Sequence, residues 1–502
     1  MAGTELNRRL STQDASFLYV ERPNQPMHLG SCSVYEGHVS RADVIRVLEE
    51  RIHLLPRYRQ KAVFAPFGLA HPTWEDDPDF DASTHVEEVT LPAPGDDQVL
   101  SEVGGQLFGQ MLDRNRPLWR IVLLHGRADG NTASLLMVHH AMVDGISGVE
   151  LMMVLHDLKA DAEPSNPAPS PWQPKPLPDP LSLLQDAIRD QLVDFARTWT
   201  AETFRLFKQG ETEARRRELT NAMTSSAPAL LRPAPATPFN GPLSTRRQFA
   251  WAEFSFAEIR SIRSALGGTI NDVVLAVLSG ALGRYLRAHG YPTDGVELRA
   301  MCPVSMRRAE ERGALGNLVS MLFAPLYVGI ADPIERLNRE RSEIERLKQT
   351  DQAGGLYAMT SLANMVPPAF QAASLRFDVP NTLLNTVSTN VPGPQIPLYL
   401  SGHALRDWYP LGPLASSIGL FNAILSYNQK LTFGATVDPT RVPDVWFYVR
   451  CLKESFAELL TAAQSSATAK ETPVPVRTQI IDNGSKAKAV SRTKTKPAIA
   501  AS

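Results

Sequence analysis

The sequence predicts a mixed α/β protein built as two units, and three observations lead there. The chain has 502 residues, more than one ordinary hydrophobic core organises. Stretches with the alternation of strands are interleaved with stretches of helical spacing on both sides of a proline-rich segment. Hydrophobic residues make up 43% and charged residues 21%, the balance of a soluble globular protein. The expected division is a first unit over 1–160, a proline-rich linker and crossover helix over 161–245, a second unit over 246–464, and a disordered basic tail over 465–502.

Each element has a local reason. Val44, Ile45, Val47, Leu48 and Ile52 recur at helical spacing between Arg41 and Leu55. The runs from Leu118 to Leu124 and from Ala133 to Val138 read as strands. The turn from Gly126 to Gly130 between them makes a hairpin. The segment from Glu163 to Pro180 is too rich in proline for a regular element. Leu181, Leu184, Ile188, Leu192, Phe195 and Trp199 then return at three- and four-residue steps, a helix that either packs across the units or meets lipid at the surface. A second linker follows from Ser225 to Thr237. Thr269 is a good N-cap for the helix carrying Val273, Val274, Val277, Leu278 and Leu282, and Asp272 completes a capping box with it. Leu298 to Met306 reads as a strand with Arg307 after it, and Leu383 to Val387 as a strand before a turn from Asn390 to Pro394.

The run His139, His140, Ala141, Met142, Val143, Asp144, Gly145 is the most informative. It joins the end of the hairpin's second strand to an amphipathic stretch from Ile146 to Leu158. Successive strand residues face opposite ways, so His139 and His140 take different environments. One is expected to do chemistry and the other to pack. Histidine is the side chain whose ordinary pKa, about 6.5, suits a base near neutral pH. His140 in that role takes a proton from an acceptor hydroxyl as it attacks an activated acyl group, with no serine or cysteine nucleophile. Gly145 permits a backbone conformation that other residues resist.

The run matches the HHxxxDG pattern of the CoA-dependent acyltransferase superfamily. More of the chain resembles one branch of it, the bacterial wax ester synthase/diacylglycerol acyltransferase family. The resemblance is carried in order by Leu10 to Leu18, Asn24 to Gly30, Arg116 to Trp119, Asn271 to Ala276, Pro303 to Arg307 and Asn390 to Pro394. It implies two chloramphenicol acetyltransferase-like α/β domains with the active site in a tunnel between them. It implies long-chain acyl-CoA as a substrate, with no cofactor and no metal. The acceptor is diacylglycerol, giving triacylglycerol, or a long-chain alcohol, giving a wax ester. By the same resemblance Asn271 supports the site or orients the acceptor, while Asp272 is shared between that role and its cap. Arg307, with Arg308 as alternate, pairs with Asp144 and makes it structural; the competing reading has Asp144 orient His140 as in a triad. Ser388, Thr389 and Asn390 sit where a hydroxyl or backbone N–H would meet an oxyanion. Ser416, Ser417 and Asn422 are further candidates.

Composition narrows the alternatives. A net charge of −2 gives no field that points to nucleic acid. Cys32, Cys302 and Cys451 are scattered, which suggests a reducing compartment and neither a disulfide framework nor a zinc site. There is no secretory pattern and no apolar run of about 18 residues, so the expected location is the cytoplasm, with peripheral contact at the membrane inner face or at lipid droplets. A peptide synthetase condensation domain shares the motif but is expected beside carrier and adenylation domains. A hydrolase would want a Gly-x-Ser-x-Gly, and a metal enzyme a His-Glu-x-x-His. From another class, a catalytically inactive lipid-binding or droplet-associated protein of the same fold stands as the alternative.

Overall fold

The computed structural model describes residues 8–143, 145–162, 171–190, 232–305, 319–349, 366–377 and 381–471. Asp144, Arg307 and Arg308 lie outside these residues. So do most of the first linker, the part of the expected crossover helix after residue 190, and most of the expected tail.

Two six-stranded mixed sheets form the frame. The first contains β1 (His28–Tyr35), β4 (Val86–Thr90), β5 (Trp119–His125) and β6 (Thr132–His139), together with β11 (Tyr399–Leu400) and β12 (His403–Leu411). Its order is β11-β12-β1-β6-β5-β4. The second contains β7 (Gln248–Ser255), β8 (Leu298–Ser305), β9 (Val319–Leu326), β10 (Thr386–Pro392), β13 (Leu420–Tyr427) and β14 (Lys430–Val437), in the order β7-β14-β13-β10-β8-β9. A short hairpin, β2 (Gln60–Val63) with β3 (Thr73–Asp76), stands apart.

Sheet membership does not follow chain order. β11 and β12 come from the segment expected to build the second unit, yet they extend the first sheet, with β12 antiparallel to β1 from Gly30↔Leu411 to Tyr35↔Leu405. This strand exchange joins the halves. β12 also packs on β13 and β14 of the other sheet, and Tyr409 stacks on Trp251 at 4.1 Å. A second junction is the helix Asp97–Phe108, which lies against β7. Its contact is close because Gly104 and Gly105 carry no side chain: a Cβ on Gly105 would stand 2.4 Å from the Arg247 carbonyl oxygen.

The expected hairpin is present. β5 pairs with β6 antiparallel from Trp119↔Val138 to Leu124↔Ala133, and β6 is buried along almost its whole length. The helix Arg41–Arg51 begins at a capping box of Ser40 and Asp43 and turns its apolar side, Val44, Val47 and Leu48, into the first core. The helix Ile270–Ala288 is buried from Asp272 to Leu286 except at Arg284, and is the spine of the second core. Its N-terminus has the capping box expected of Thr269 and Asp272. No single helix among the described residues is long and apolar enough to cross a membrane.

Two elements depart from the sequence reading. Asn390, Val391 and Pro392 are strand and not turn: β10 runs parallel to β13 through Pro392↔Ser426. Among the described residues β8 pairs with β10 only at Thr386 and Val387, and Pro392 falls beyond that pairing, where a missing N–H costs no ladder bond to β8. The helix Val445–Glu471 continues past 465, where the tail was expected to begin, over alanine- and serine-rich chain.

Candidate active site

The histidine pair is held at the end of β6, beside a turn tied to both halves of the chain. The His139 N–H donates to the Leu118 carbonyl (2.9 Å), which explains why the Arg116–Trp119 block opens β5. The His140 N–H donates to the Met27 carbonyl (2.8 Å). Met27 belongs to a turn pinned from both halves of the chain. Asn24 Nδ2 donates to the Leu243 carbonyl (3.3 Å), Arg247 Nη2 to the Asn24 carbonyl (2.6 Å), and the Ser416 N–H to Gln25 Oε1 (3.0 Å). The Asn24–Gly30 block is thus the clamp on the histidine strand.

The two rings enter different surroundings, as strand geometry requires. The His139 ring is fully buried. Its Nδ1 accepts the Ala141 N–H (3.1 Å), so the remaining proton sits on Nε2. That atom faces Glu21 Oε1 at 3.4 Å, close but without the alignment of a hydrogen bond. The His140 ring is half-buried and lies flat on Phe17, with centroids 3.9 Å apart and planes 9° from parallel. Phe17 comes from the helix Thr12–Val20, which Ser11 caps through the Asp14 N–H. The buried ring is anchored by polar contacts, and the half-buried one is steadied by stacking on Phe17.

Glu21 is the residue that sequence reasoning missed. Its side chain has no exposure. One oxygen accepts the Met27 N–H (3.0 Å), and the other accepts Arg114 Nε and Nη2 (3.0 and 2.8 Å). Burial pushes its pKa up, but the contacts with His139, Met27 and Arg114 outweigh burial and hold it at about 2. Glu21 is therefore a carboxylate at neutral pH. A single glutamate seven residues before His28, in a stretch that also holds Arg22, Asn24 and Gln25, carries little signal by itself. His28, paired across the sheet with His139, is buried, gives a 2.7 Å contact to the Phe108 carbonyl, and is held down to about 4 by burial, hence neutral.

The other candidates fall in several places. Gly145 opens the helix Gly145–Leu155, which contacts β10. Ser388 is buried, Thr389 half-buried and Asn390 exposed along β10. Asp272 is buried and spent on its cap, accepting the Thr269 N–H (2.7 Å), and Asn271 is half-buried beside it. Asn422 is a core residue: it accepts from Tyr448 Oη and donates to Thr386 Oγ1 (2.8 and 3.1 Å). Ser416 and Ser417 form a left-handed turn, φ 51° and 66°, that buttresses Gln25. A cavity of about 640 Å³ adjoins the site through Glu21 and Arg114 and is lined mainly by apolar residues, among them Leu18, Phe64, Ala369 and Ala373. Among the described residues no group of three His, Cys, Asp or Glu side chains is placed to hold a metal.

Comparison with known proteins gives this arrangement its family. Residues 10–274 match the profile of the wax ester synthase/diacylglycerol acyltransferase catalytic domain. The chain belongs to that family. Residues 315–460 match the family's C-terminal domain. A putative diacylglycerol O-acyltransferase of Mycobacterium tuberculosis is 32% identical over 479 residues, covering 92% of this chain and 99% of the relative. A probable diacylglycerol O-acyltransferase of the same species is 31% identical over 460 residues, covering 91% and 96%. Among solved structures, the wax ester synthase/diacylglycerol acyltransferase of Marinobacter aquaeolei VT8 aligns with a TM-score of 0.62 at 24% identity, covering 91% of this chain and all of that one. A variant starter condensation domain of rhizomide synthetase, solved with C8-CoA, aligns with a TM-score of 0.54 at 15% identity, covering 90% and 95%. The fold of this acyltransferase is thus the two-sheet fold shared by those enzymes.

Proposed function

We propose that this acyltransferase moves a long-chain acyl group from acyl-CoA to the hydroxyl of diacylglycerol, forming triacylglycerol, with long-chain alcohols as a second acceptor class. His140 is the general base. The observation that carries this is the division of labour in the histidine pair: His139 is buried and fixed by Ala141 and Glu21, whereas His140 keeps a half-buried ring oriented by Phe17. The names of the relatives support the acceptor.

In the reaction the His140 ring accepts the acceptor's hydroxyl proton as that oxygen attacks the thioester carbonyl carbon. A tetrahedral oxyanion forms and collapses, the carbon–sulfur bond breaks, and the CoA sulfur takes the proton back from His140. Charge on the oxyanion calls for donors, and we assign these to the β10 end of the site, at Ser388, Thr389 or a backbone N–H beside Asn390. Asp144 and Arg307 are assigned as an ion pair that holds the Gly145 turn, and Asn271 with Asp272 as support from the second half. The acceptors are water-insoluble, so the enzyme works in peripheral contact with the cytoplasmic face of a membrane or with a lipid droplet.

The test offers the purified chain labelled palmitoyl-CoA with diacylglycerol and hexadecanol in competition. Labelled triacylglycerol is the expected main product. Consumption of the thioester with neither ester formed contradicts the assignment, and an absence of any turnover favours a lipid-binding protein of this fold.

A further inference from the structure

Exposed aromatic side chains stand at the 640 Å³ cavity and beside it: Phe67 lines it, while Phe370 and Phe377 follow its wall residues Ala369 and Arg376 in the chain. Phe67 is 87% exposed, Phe370 71% and Phe377 74%. Soluble proteins rarely group large aromatics in this way. Phe67 sits in a turn between Pro66 and Gly68 with φ 61°, a left-handed conformation that a bulky residue adopts only at a cost. Gly68 rests on Ala369, so this turn packs against the helix Pro368–Ser374. That helix presents Ala369, Ala372 and Ala373 to the cavity and Phe370 to solvent. The patch extends sideways. Ala187, in the helix over 180–190, is buried against Ala65 and Ala70, while Leu181 and Ile188 of that helix remain exposed. Arg376 is exposed at the cavity wall.

We infer that this face is the surface on which the protein rests on an anionic lipid layer, the aromatics entering the headgroup–acyl boundary and Arg376 meeting phosphate. Aromatic rings beside a cationic side chain are the chemistry that such an interface recognises. The position supports a lipid rather than a protein partner. The patch borders, through Phe67 and the helix bearing Phe370, a mainly apolar cavity that reaches Glu21, so a chain leaving the layer has an apolar enclosure to enter beside the histidine site. The inference rests on the proposed use of a lipid acceptor and specifies where that acceptor is met.

Flotation of the full chain with vesicles tests it. The vesicles are phosphatidylcholine alone or with phosphatidylglycerol, and no acyl-CoA is added. Binding is expected to be stronger with phosphatidylglycerol and weaker at high salt. The double replacement Phe370→Ser with Phe377→Ser should weaken partition by about tenfold or more while the melting temperature holds, because neither ring is packed. Arg376→Gln should lower only the phosphatidylglycerol-dependent part, by roughly fivefold. Failure of the unaltered chain to float with either vesicle, or equal flotation of the double variant, overturns the inference. A dimer in solution that the same two replacements dissolve would also overturn it, by making the patch a contact between copies. Binding without acyl transfer would instead sink the proposed reaction and leave this surface standing. Transfer to a dispersed short-chain acceptor without binding would do the reverse.

Discussion

Glu21→Gln is the most revealing single change at the site. The amide keeps an oxygen for the Met27 N–H but removes the charge that faces Arg114 and His139. A carboxylate held at about 2 against an ordinary value of 4.5 carries ~3 kcal/mol of pH-linked stability. The folded value lies below the unfolded one, so this stability is fully present above about pH 4.5 and is lost as pH falls toward 2. The variant should therefore melt at a lower temperature at pH 7 and lose less of its remaining stability on acidification across that interval. Turnover should fall as well, by roughly ten- to a hundredfold, because Met27 and His139 together position the His140 backbone and a misplacement of about 1 Å is enough for such a loss. Melting curves from pH 3 to 7 and kcat at pH 7 read both effects. An unchanged melting temperature together with an unchanged acid profile would refute the claim that a buried carboxylate anchors the histidine pair.

Further expectations follow from the same geometry. Phe17→Ala removes the ring under His140 and should cost about 1 kcal/mol of stacking, seen as a lower kcat with acyl-CoA binding little changed. Labelled acyl-CoA without acceptor should leave the denatured protein unlabelled; Cys302, buried and with its thiol pushed up to about 12 by that burial, is the first thiol to check. Gly105→Ala brings a Cβ to 2.4 Å from the Arg247 carbonyl oxygen and 2.6 Å from Gln248 Cα, both backbone, so it should destabilise by about 1–3 kcal/mol in a melting experiment. A double-mutant cycle of Asp144→Asn with Arg307→Met tests the assigned ion pair. The double variant should lose less stability than the sum of the singles, and additive losses would return Asp144 to an orienting role on His140.

What could be read from the chain follows the range of the interactions involved. The β5–β6 hairpin was legible because two apolar runs and a glycine turn lie side by side in sequence. The Thr269 capping box was legible because both partners fall within one helical turn. The different fates of His139 and His140 follow from alternation alone. Glu21 was not legible as a partner of His139, since nothing local marks a contact between residues 118 apart. Nor was the passage of β12 into the first sheet: the period of a strand tells which face is buried and not which neighbour it takes. Asn390 to Pro392 misled for a related reason. Proline reads as a turn unless the pairing of the strand is known, and among the described residues β8 meets β10 only at Thr386 and Val387, short of Pro392.

The most direct measurement of the central claim is the rate at which purified His140→Ala transfers a labelled palmitoyl group from CoA to diacylglycerol, set beside the unaltered chain. Loss of the general base should lower turnover by roughly two to four orders of magnitude. Acyl-CoA binding and melting temperature should change little, because the His140 ring is half-buried and alanine keeps the backbone N–H bond to the Met27 carbonyl. Equal turnover by the two proteins would contradict the account.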